Sequence, residues 1–312
     1  MSLDDHLEAA ELAFRMLGEK RADLPPPMHI GGAGGDFHVK GAMLALERPY
    51  VAVKTNGNFP DNARFSLPTV QGAILLCDGE RGTPLALIDS IEITSARTGA
   101  ASALAARYLA DPSAAAITVC GCGVQGRIQL KSIANALPIR LAFAWDQDPE
   151  RARQFAATMS GELGFEVRPV DKLAEATSHS DVIVTCTTAR RPFLTSDMVR
   201  PGTFVAAVGA DSPAKQELEP ALLARSAVYA DVAAQVLAMG DTRHAVELGL
   251  MHPSDLAGEL AELVGGEAVG RNSDERVFIF DSTGAAVQDV AAAAMTYERA
   301  VEAGVGQMVP LA

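Results

Sequence analysis

Residues 116–126, AITVCGCGVQG, decide the fold: an apolar, strand-forming run leads directly into a glycine-rich turn. Gly121, Gly123 and Gly126 have the spacing G-x-G-x-x-G, and the residues that follow, RIQLKSIANAL, have helical character. In this setting the first glycine permits a tight turn, the second lets a pyrophosphate approach the backbone, and the third lets helix and strand pack closely. The stretch predicts a dinucleotide-binding strand–turn–helix unit.

Asp146 supports the same prediction. It ends the next apolar stretch, RLAFAWD, 20 residues beyond Gly126. A carboxylate at this position accepts hydrogen bonds from ribose hydroxyls and repels a 2′-phosphate, and Gln147 stands where NADP-binding proteins often carry arginine. The pattern favours NAD over NADP. The alternative is a glycine turn in a doubly wound domain that binds no nucleotide.

Strands and helices alternate from residue 115 onward, which predicts a parallel sheet with right-handed crossovers. The apolar stretches that predict further strands are DVIVTCTT, FVAAVGAD, SAVYADV and VFIFDSTG. We therefore assign residues 113–284 to a Rossmann-type, doubly wound domain. The final helix, within residues 285–312, is expected to return to the domain formed by the beginning of the chain.

Residues 1–112 have a different pattern. A helix is predicted at 4–20, followed by short apolar runs that turn residues interrupt, which is typical of antiparallel strands. An alanine-rich helix is then expected to begin near Thr94 and to end before Asp111. The fold class predicted for the whole chain is α/β, with an α+β domain of antiparallel strands beside the Rossmann-type domain.

Composition excludes several classes of function. The 312 residues include 26 basic and 39 acidic side chains, for a net charge of −13, which argues against nucleic acid or an anionic membrane as a partner. The acidic, amphipathic N-terminus does not resemble a signal peptide and no long apolar run occurs, so a cytoplasmic location is expected. The cysteines are interpreted as core residues. The histidines are scattered without metal-ligand spacing, so no metal site is predicted.

Three charged residues are candidates for substrate binding. Lys54 lies in VAVKTN and Arg97 lies in the alanine-rich helix, each among apolar or small residues. They are interpreted either as a clamp for a carboxylate or as solvated surface charges. Asp211 ends the predicted strand FVAAVGAD, where it could act as a base, hold an amine or cap a helix over SPAKQEL. By strand alternation, His38 and Lys40 share one face.

Several of these stretches together resemble the ornithine cyclodeaminase/mu-crystallin family. The matching stretches extend from about residue 50 to 304 and are VAVKTNGNFPDN, IEITSARTGAASALAARYLA, ITVCGCGVQGRIQLKSI, DVIVTCTT, VRPGTFVAAVGADSPAKQEL and GAAVQDVAAAAMTYERA. The resemblance implies that residues 1–112, joined by the final helix, form a substrate-binding and dimerisation domain. It also implies an NAD(P)-binding Rossmann domain and a homodimer.

The resemblance further implies hydride transfer at the α-carbon of an amino acid through an imine. In the cyclodeaminase reaction L-ornithine gives L-proline and ammonia, and the hydride returns from the cofactor. Relatives include alanine dehydrogenase and cyclic ketimine reductase. The expected partner is a small amino or imino acid. A mu-crystallin-like protein that binds NAD(P)H and a small ligand without turnover is the non-catalytic alternative.

Site residues follow from the resemblance, position by position. Lys54 and Arg97 match carboxylate-binding residues, and Asp211 matches the catalytic acid/base at the reacting nitrogen. The cofactor contacts implied are Gly121, Gly123, Val124, Gln125, Gly126, Asp146, Thr187 and Thr188.

One feature departs from the family pattern. The family usually carries an arginine just after its first prolines, whereas here Pro25-Pro26-Pro27 is followed by Met28 and His29. His29 and Lys40 are the candidate replacements for that substrate contact. The missing arginine argues against L-ornithine as the substrate, whereas the expected type of reaction is unaffected.

Overall fold

The predicted α/β class, with a parallel and an antiparallel sheet in different parts of the chain, is confirmed. The computed structural model describes residues 1–310, apart from the side chain of Ala63. The chain divides into two units, one formed by Met1–Arg97 with the residues from Ala286 onward and the other by Thr98–Ala285.

The first unit is built on an antiparallel sheet. Its elements before the division are α1 (Leu3–Gly18), β1 (Ala22–Asp23), β2 (Met28–Gly31), β3 (Asp36–Leu44), β4 (Tyr50–Asn58), the 3-10 helix Pro60–Phe65, β5 (Val70–Asp78) and β6 (Pro84–Asp89). The strand order is β1-β3-β4-β5-β6, and β2 pairs with β3 as a hairpin. Ser2 starts α1 through a capping box, in which its hydroxyl accepts from the backbone of Asp5 and the Asp5 carboxylate accepts from the backbone of Ser2.

Strand β4 shows how this sheet orients its side chains. Tyr50, Ala52, Lys54 and Asn56 are buried, whereas the residues between them are less covered. Such alternation gives the sheet one inner face and one outer face. The last helix, Ala286–Ala303, packs against the inner face, and the Tyr50 hydroxyl donates to Glu298 of that helix across 2.7 Å. Two polar residues, Lys54 and Asn56, are thereby enclosed in an otherwise apolar layer.

Helix α2, Ser90–Leu109, begins four residues before the predicted Thr94. The Asp89 side chain accepts a hydrogen bond from the backbone of Ile91, so it satisfies an N–H group in the first turn of the helix and permits the earlier start.

The division between the units falls within α2, whereas the sequence predicts a boundary near residue 112. The later part of α2 packs on elements of the second unit: a Cβ at Gly99 would lie 2.5 Å from the Ser132 hydroxyl. The carbonyl of Tyr108 also accepts from the backbone of Arg271 at 2.8 Å.

The second unit is built on a parallel sheet with strand order β15-β14-β16-β12-β10-β7-β8-β9. Its strands are β7 (Ala116–Cys120), β8 (Leu141–Trp145), β9 (Glu166–Pro169), β10 (Val182–Thr185), β11 (Arg190–Leu194), β12 (Phe204–Ala207), β13 (Gln216–Leu218), β14 (Ala227–Ala230), β15 (Gly258–Glu259) and β16 (Phe278–Asp281). Strands β11 and β13 form a small separate parallel pair that the sequence did not predict.

Helices cover this sheet. They are α3 (Val124–Ala136), α4 (Pro149–Leu163), α5 (Leu173–Thr177), α6 (Pro220–Ala224), α7 (Ala233–Met239), α8 (Asp241–Glu247) and α9 (Leu260–Gly265), with 3-10 helices at Ser196–Met198 and Pro253–Asp255. The chain then ends in α10 (Ala286–Ala303) of the first unit. Across residues 1–310, none of the helices has the length and apolar character that crossing a bilayer requires.

Candidate functional site

The glycine-rich turn lies where the strand order of the parallel sheet reverses. Strand β7 pairs with β8 on one side and with β10 on the other, and open α/β sheets bind ligands at the carboxyl ends of strands at such a point. Gly121 has a φ of +107°, which disfavours any side chain. A Cβ at Gly126 would lie 2.1 Å from the carbonyl oxygen of Gly121. The turn therefore needs glycine at both positions.

Gly123 differs from the other two glycines. No atom lies within 4 Å of the place where its Cβ would stand, so packing within the protein does not require glycine there. It is the N-cap of α3, and neither a capping side chain nor an acidic residue occupies the first turn of this helix. The N–H groups of that turn are therefore available to phosphate.

The side chains beside Gly123 fit the same ligand. Val124 is 68% exposed although it is apolar, and the buried side-chain oxygen of Gln125 has no hydrogen-bond partner among the described residues. Both features fit a dinucleotide that would cover Val124 and offer a donor to Gln125. The residues of the turn therefore suit the pyrophosphate of such a ligand.

Asp146 joins the end of β8 to the glycine-rich turn. One carboxylate oxygen accepts from the backbone N–H of Cys122 at 2.9 Å, and the other accepts from that of Asp148 at 3.0 Å. A carboxylate oxygen can accept more than one hydrogen bond, so both oxygens keep capacity for ribose hydroxyls. The position predicted from the sequence is thus compatible with the predicted role.

Glu217, on β13, fixes two loops at the carboxyl end of the parallel sheet. It is fully buried, and one oxygen accepts from the backbone and the hydroxyl of Thr187 at 2.6 and 2.7 Å. Its other oxygen accepts from the backbone of Gly209 at 2.9 Å. Burial raises the pKa of Glu217, while these hydrogen bonds oppose the rise. Thr188, next to Thr187, is exposed and open to a ligand.

Two further buried carboxyl groups adjoin Glu217. Asp241 accepts from the backbone N–H groups of Glu217 and Leu218, and Asp281 accepts from the backbone and hydroxyl of Thr242. Burial raises the pKa of Asp281 to about 7. Burial also raises the pKa of Asp241, and the nearby Asp281 and Glu217 add to this. The pKa values of all three carboxyl groups are thus raised, and burial is the main cause in each.

Asp211 is placed differently from the sequence prediction. Strand β12 ends at Ala207, and the residues after Asp211 lead into β13 and not into a helix, so neither the strand-end position nor the helix-cap alternative is correct. The strand stops because the backbone of Gly209 turns to donate to Glu217. Asp211 lies in the resulting loop, partly exposed, and accepts from Lys215 across 2.5 Å. Its side chain is 44% exposed.

Lys54 and Arg97 of the first unit share one buried carboxylate. The Lys54 ammonium lies 2.7 Å from Asp289 of α10, and the Arg97 Nε lies 3.1 Å from the same side chain. Lys54, Arg97 and Asp289 are respectively 3%, 6% and 1% exposed, which excludes the alternative that the cations are solvated surface charges. Asp289 was not among the site residues predicted from the sequence. The available signal was a single acidic residue in a run that is otherwise typical of a buried helix, AAVQDVAAAA.

Positive charge exceeds negative charge around Asp289. Lys40 stands directly opposite Lys54 in the register of β3 and β4, and like charges in this position repel. Burial lowers the pKa of Lys54 to about 7, with Arg97 and Lys40 contributing and Asp289 opposing. Burial acts to raise the pKa of Asp289, but Lys54 and Arg97 outweigh it, so that pKa lies below its ordinary value. The arrangement, which we call the cationic cluster, is suited to one further carboxylate.

His29 belongs to a different group. The register of β2 and β3 sets it opposite His38, two residues before Lys40 on β3. Asp36 lies beside His38 at 2.8 Å. The strand alternation that predicts a common face for His38 and Lys40 also places Asp36 there.

The fold and these sites define a dinucleotide-binding α/β protein with a buried cluster suited to a carboxylate. Residues 1–304 match the model of the ornithine cyclodeaminase/mu-crystallin family, and the chain belongs to this family. The resemblance identified from the sequence is thereby confirmed.

Three solved structures show how far the similarity extends. Thermococcus litoralis Δ1-pyrroline-2-carboxylate reductase, in complex with NADH and L-proline, is 34% identical with a TM-score of 0.95, covering 99% of this chain and 96% of that one. An archaeal alanine dehydrogenase dimer with bound NAD is 34% identical with a TM-score of 0.95, covering 99% and 95%. Paracoccus denitrificans iminosuccinate reductase, in complex with NAD⁺, is 32% identical with a TM-score of 0.93, covering 100% and 96%.

The pKa of Lys54 predicts a pH dependence of carboxylate binding. Below about pH 7 Lys54 is protonated and attracts the ligand, whereas above it the charge is lost. The dissociation constant of an amine-free carboxylate such as isobutyrate should therefore be flat below pH 7 and rise above it, by at most about tenfold per pH unit. Ligand-observed NMR titrations measure this dissociation constant.

Two variants serve as controls for the role of Lys54. Lys54→Met should bind the carboxylate weakly and independently of pH, whereas Lys172→Met, at an exposed lysine, should keep the pH profile of the unaltered protein. A pH-independent constant in the unaltered protein would contradict the assignment.

Glu217 should affect both stability and dinucleotide binding. In Glu217→Gln the side-chain amide NH₂ replaces one of the oxygens that accept from Thr187 and Gly209, so two donors face each other and a hydrogen bond is lost. The free energy of unfolding should fall by about 1–3 kcal/mol. These loops follow β10 and β12, at the carboxyl end of the parallel sheet where a dinucleotide is expected to bind. The affinity for NADH should therefore fall, while isobutyrate binding is unchanged. Urea unfolding and NADH fluorescence titration measure the two effects. Exposed Glu247→Gln is the control, and equal NADH affinity in both variants would show that Glu217 does not position the loops.

Proposed function

We propose that the protein is an NAD-dependent oxidoreductase that interconverts a primary or secondary α-amino acid and the corresponding imine. The observation that carries the proposal is the cationic cluster, in which Lys54 and Arg97 share the single carboxylate of Asp289 and Lys40 lies opposite Lys54. A substrate carboxylate supplies the missing negative charge. The glycine-rich turn, Asp146 and the NAD-bound structures of relatives support the cofactor.

Each residue has a separate task in this proposal. NAD, held by the glycine-rich turn and Asp146, would supply hydride transfer between the α-carbon and its nicotinamide. Lys54 and Arg97 hold the α-carboxylate and so orient the α-carbon. Asp211 accepts a proton from the nitrogen when the imine forms and donates it when the imine is reduced.

The charges of the cationic cluster favour imine reduction or amino-acid dehydrogenation over ornithine cyclodeamination. Ornithine carries a second ammonium group, and Lys40 places a further positive charge opposite Lys54. A neutral or acidic side chain is better matched to these surroundings. The names of the relatives, a pyrroline-2-carboxylate reductase, an alanine dehydrogenase and an iminosuccinate reductase, support the same choice.

Absorbance at 340 nm tests the proposed activity. The protein is incubated with NADH, pyruvate and ammonia, and with NADH and a cyclic imine of the pyrroline-2-carboxylate type. It is incubated separately with NAD and L-alanine, L-proline, L-ornithine or L-lysine. Consumption of NADH with an imine, or its formation with an amino acid, supports the proposal. Ammonia and proline from ornithine without net NADH would replace it with cyclodeamination. NADH binding without any turnover would replace it with a non-catalytic binding protein.

Asp211→Asn tests the acid/base role. The amide cannot accept the proton, so kcat should fall by about 100-fold or more, while NADH affinity and carboxylate binding stay close to those of the unaltered protein. Asp197→Asn, which alters an exposed carboxylate in the 3-10 helix Ser196–Met198 of the same unit, is the control. Full activity of Asp211→Asn would remove this residue from the mechanism.

Asp146 should set the preference between the two nicotinamide cofactors. Asp146→Ala removes both the ribose acceptor and the repulsion of a 2′-phosphate, so the affinity for NADH should fall more than that for NADPH. Fluorescence titration with each cofactor gives the ratio. Because the substitution also removes the bond to Cys122, the ratio and not the absolute affinity is the decisive quantity. An unchanged ratio would exclude the ribose contact.

We also propose that two copies of the chain associate through the outer face of the antiparallel sheet. Val53, Leu75 and Leu87 are directly opposite one another on β4, β5 and β6, and all three are exposed. A continuous row of exposed apolar side chains is typical of an interface, and the archaeal alanine dehydrogenase is a dimer. Leu75→Glu should give a monomer in light scattering, whereas Leu248→Glu, on the second unit, should not. A dimeric Leu75→Glu protein would contradict this.

A further inference from the structure

Two histidines and an aspartate converge on the β2–β3 hairpin. The rings of His29 and His38 face each other across the strand pair, with centroids 4.4 Å apart and planes at 73°. Asp36 precedes His38 by two residues, so both point to the same side of β3, and its carboxylate lies 2.8 Å from the Nε2 of His38. One nitrogen or oxygen from each side chain lies within 4.8 Å of the other two.

We propose that His29, Asp36 and His38 bind a divalent transition-metal ion of the Zn²⁺ type. In a tetrahedral zinc site with bonds of about 2.0–2.1 Å, neighbouring ligand atoms are about 3.3 Å apart. The three ligand atoms, all within 4.8 Å of one another, need to approach by at most about 1.5 Å to reach that separation. The contact between Asp36 and His38 is then replaced by bonds from both to the ion.

The ligand types select the class of ion. Two imidazoles and one carboxylate suit Zn²⁺, Co²⁺ and Ni²⁺, whereas Mg²⁺ and Ca²⁺ prefer oxygen ligands throughout. Three protein ligands leave one coordination position of a tetrahedral ion open, as in zinc sites that bind water or a substrate. His38 and Asp36 are partly exposed, with side chains 20% and 44% accessible, so water can occupy that position.

The hairpin holds these ligands in a framework that exists without the ion. Its turn is closed by a hydrogen bond from the backbone of Gly32 to the carbonyl of Gly35 at 2.8 Å. Gly35 packs so tightly against the end of β4 that a Cβ there would lie 2.2 Å from the carbonyl of Asn58. The rings of Phe37 and Phe59 are also in contact at 5.3 Å. Little backbone ordering is therefore needed when an ion binds.

Charge acts on this site in two directions. With both imidazoles neutral the ligands carry one negative charge, which favours a dication, and the chain as a whole is acidic. Lys40, two residues beyond His38 on the same face, opposes a dication. Removing that charge by Lys40→Met should therefore increase metal affinity, whereas removing a ligand should decrease it.

Isothermal titration with ZnCl₂ tests the proposal on the full chain without a histidine tag. We expect one ion per chain, with binding at least about tenfold weaker in His38→Ala and in Asp36→Asn. His179→Ala, which alters an exposed histidine of the second unit, should bind as the unaltered protein does. Equal affinity in His38→Ala, or no binding up to about 100 µM Zn²⁺, would overturn the proposal.

Cobalt binding can be measured on the unaltered protein, so this test does not require any variant to fold. Co²⁺ in a site of low coordination number, bound by nitrogen and oxygen, shows stronger visible absorption than hexaaqua Co²⁺. Added Zn²⁺ should displace the cobalt and abolish the band. A spectrum identical to that of Co²⁺ in buffer would contradict the proposed ligands.

Discussion

The carboxylate of Asp289 is the interaction on which the first unit depends. It neutralises cations from β4 and α2, and it therefore holds together three elements that are far apart in the sequence. Buried cations without a counter-ion are strongly destabilising, yet this one carboxylate faces Lys54, Arg97 and the nearby Lys40. Burial, together with Arg97 and Lys40, lowers the pKa of Lys54, and the excess of positive charge suits the cluster to an anionic ligand. Stability of the empty protein and affinity for a carboxylate are thus opposed in one group of side chains.

The second unit uses carboxylates in another way. Asp146 and Glu217 accept hydrogen bonds from backbone groups of the loops at the carboxyl ends of the parallel strands. These bonds fix the loops within the protein itself, so less ordering is needed when a dinucleotide binds. An acidic protein can in this way present N–H groups to phosphate at the start of α3, because its nearby negative charges are already engaged by the backbone.

Local pattern explains which features could be predicted from the sequence. The glycine-rich turn, the position of Asp146 at the end of β8, and the division into antiparallel and parallel parts all follow from residues close together in the chain. These predictions needed no knowledge of which distant segments meet.

The features that were missed depend on tertiary contacts. Glu217 gains its role only when β13 pairs with β11, and Asp289 only when α10 covers the sheet. The loop position of Asp211 follows from the hydrogen bond between Gly209 and Glu217, which no short pattern records. His29 comes to lie opposite His38 only through the register of β2 and β3, which the spacing of the two histidines does not reveal.

The order of synthesis has a consequence for how the chain folds. The second unit is one continuous segment, Thr98–Ala285, so all of its residues are available before translation ends. The first unit is discontinuous, and until α10 leaves the ribosome Lys54 and Arg97 have no Asp289 to pair with. The antiparallel sheet must therefore wait for the last part of the chain, with its inner face and two cations uncovered, while the parallel sheet forms. An apolar face that is uncovered during this interval exposes the beginning of the chain to aggregation until α10 is added.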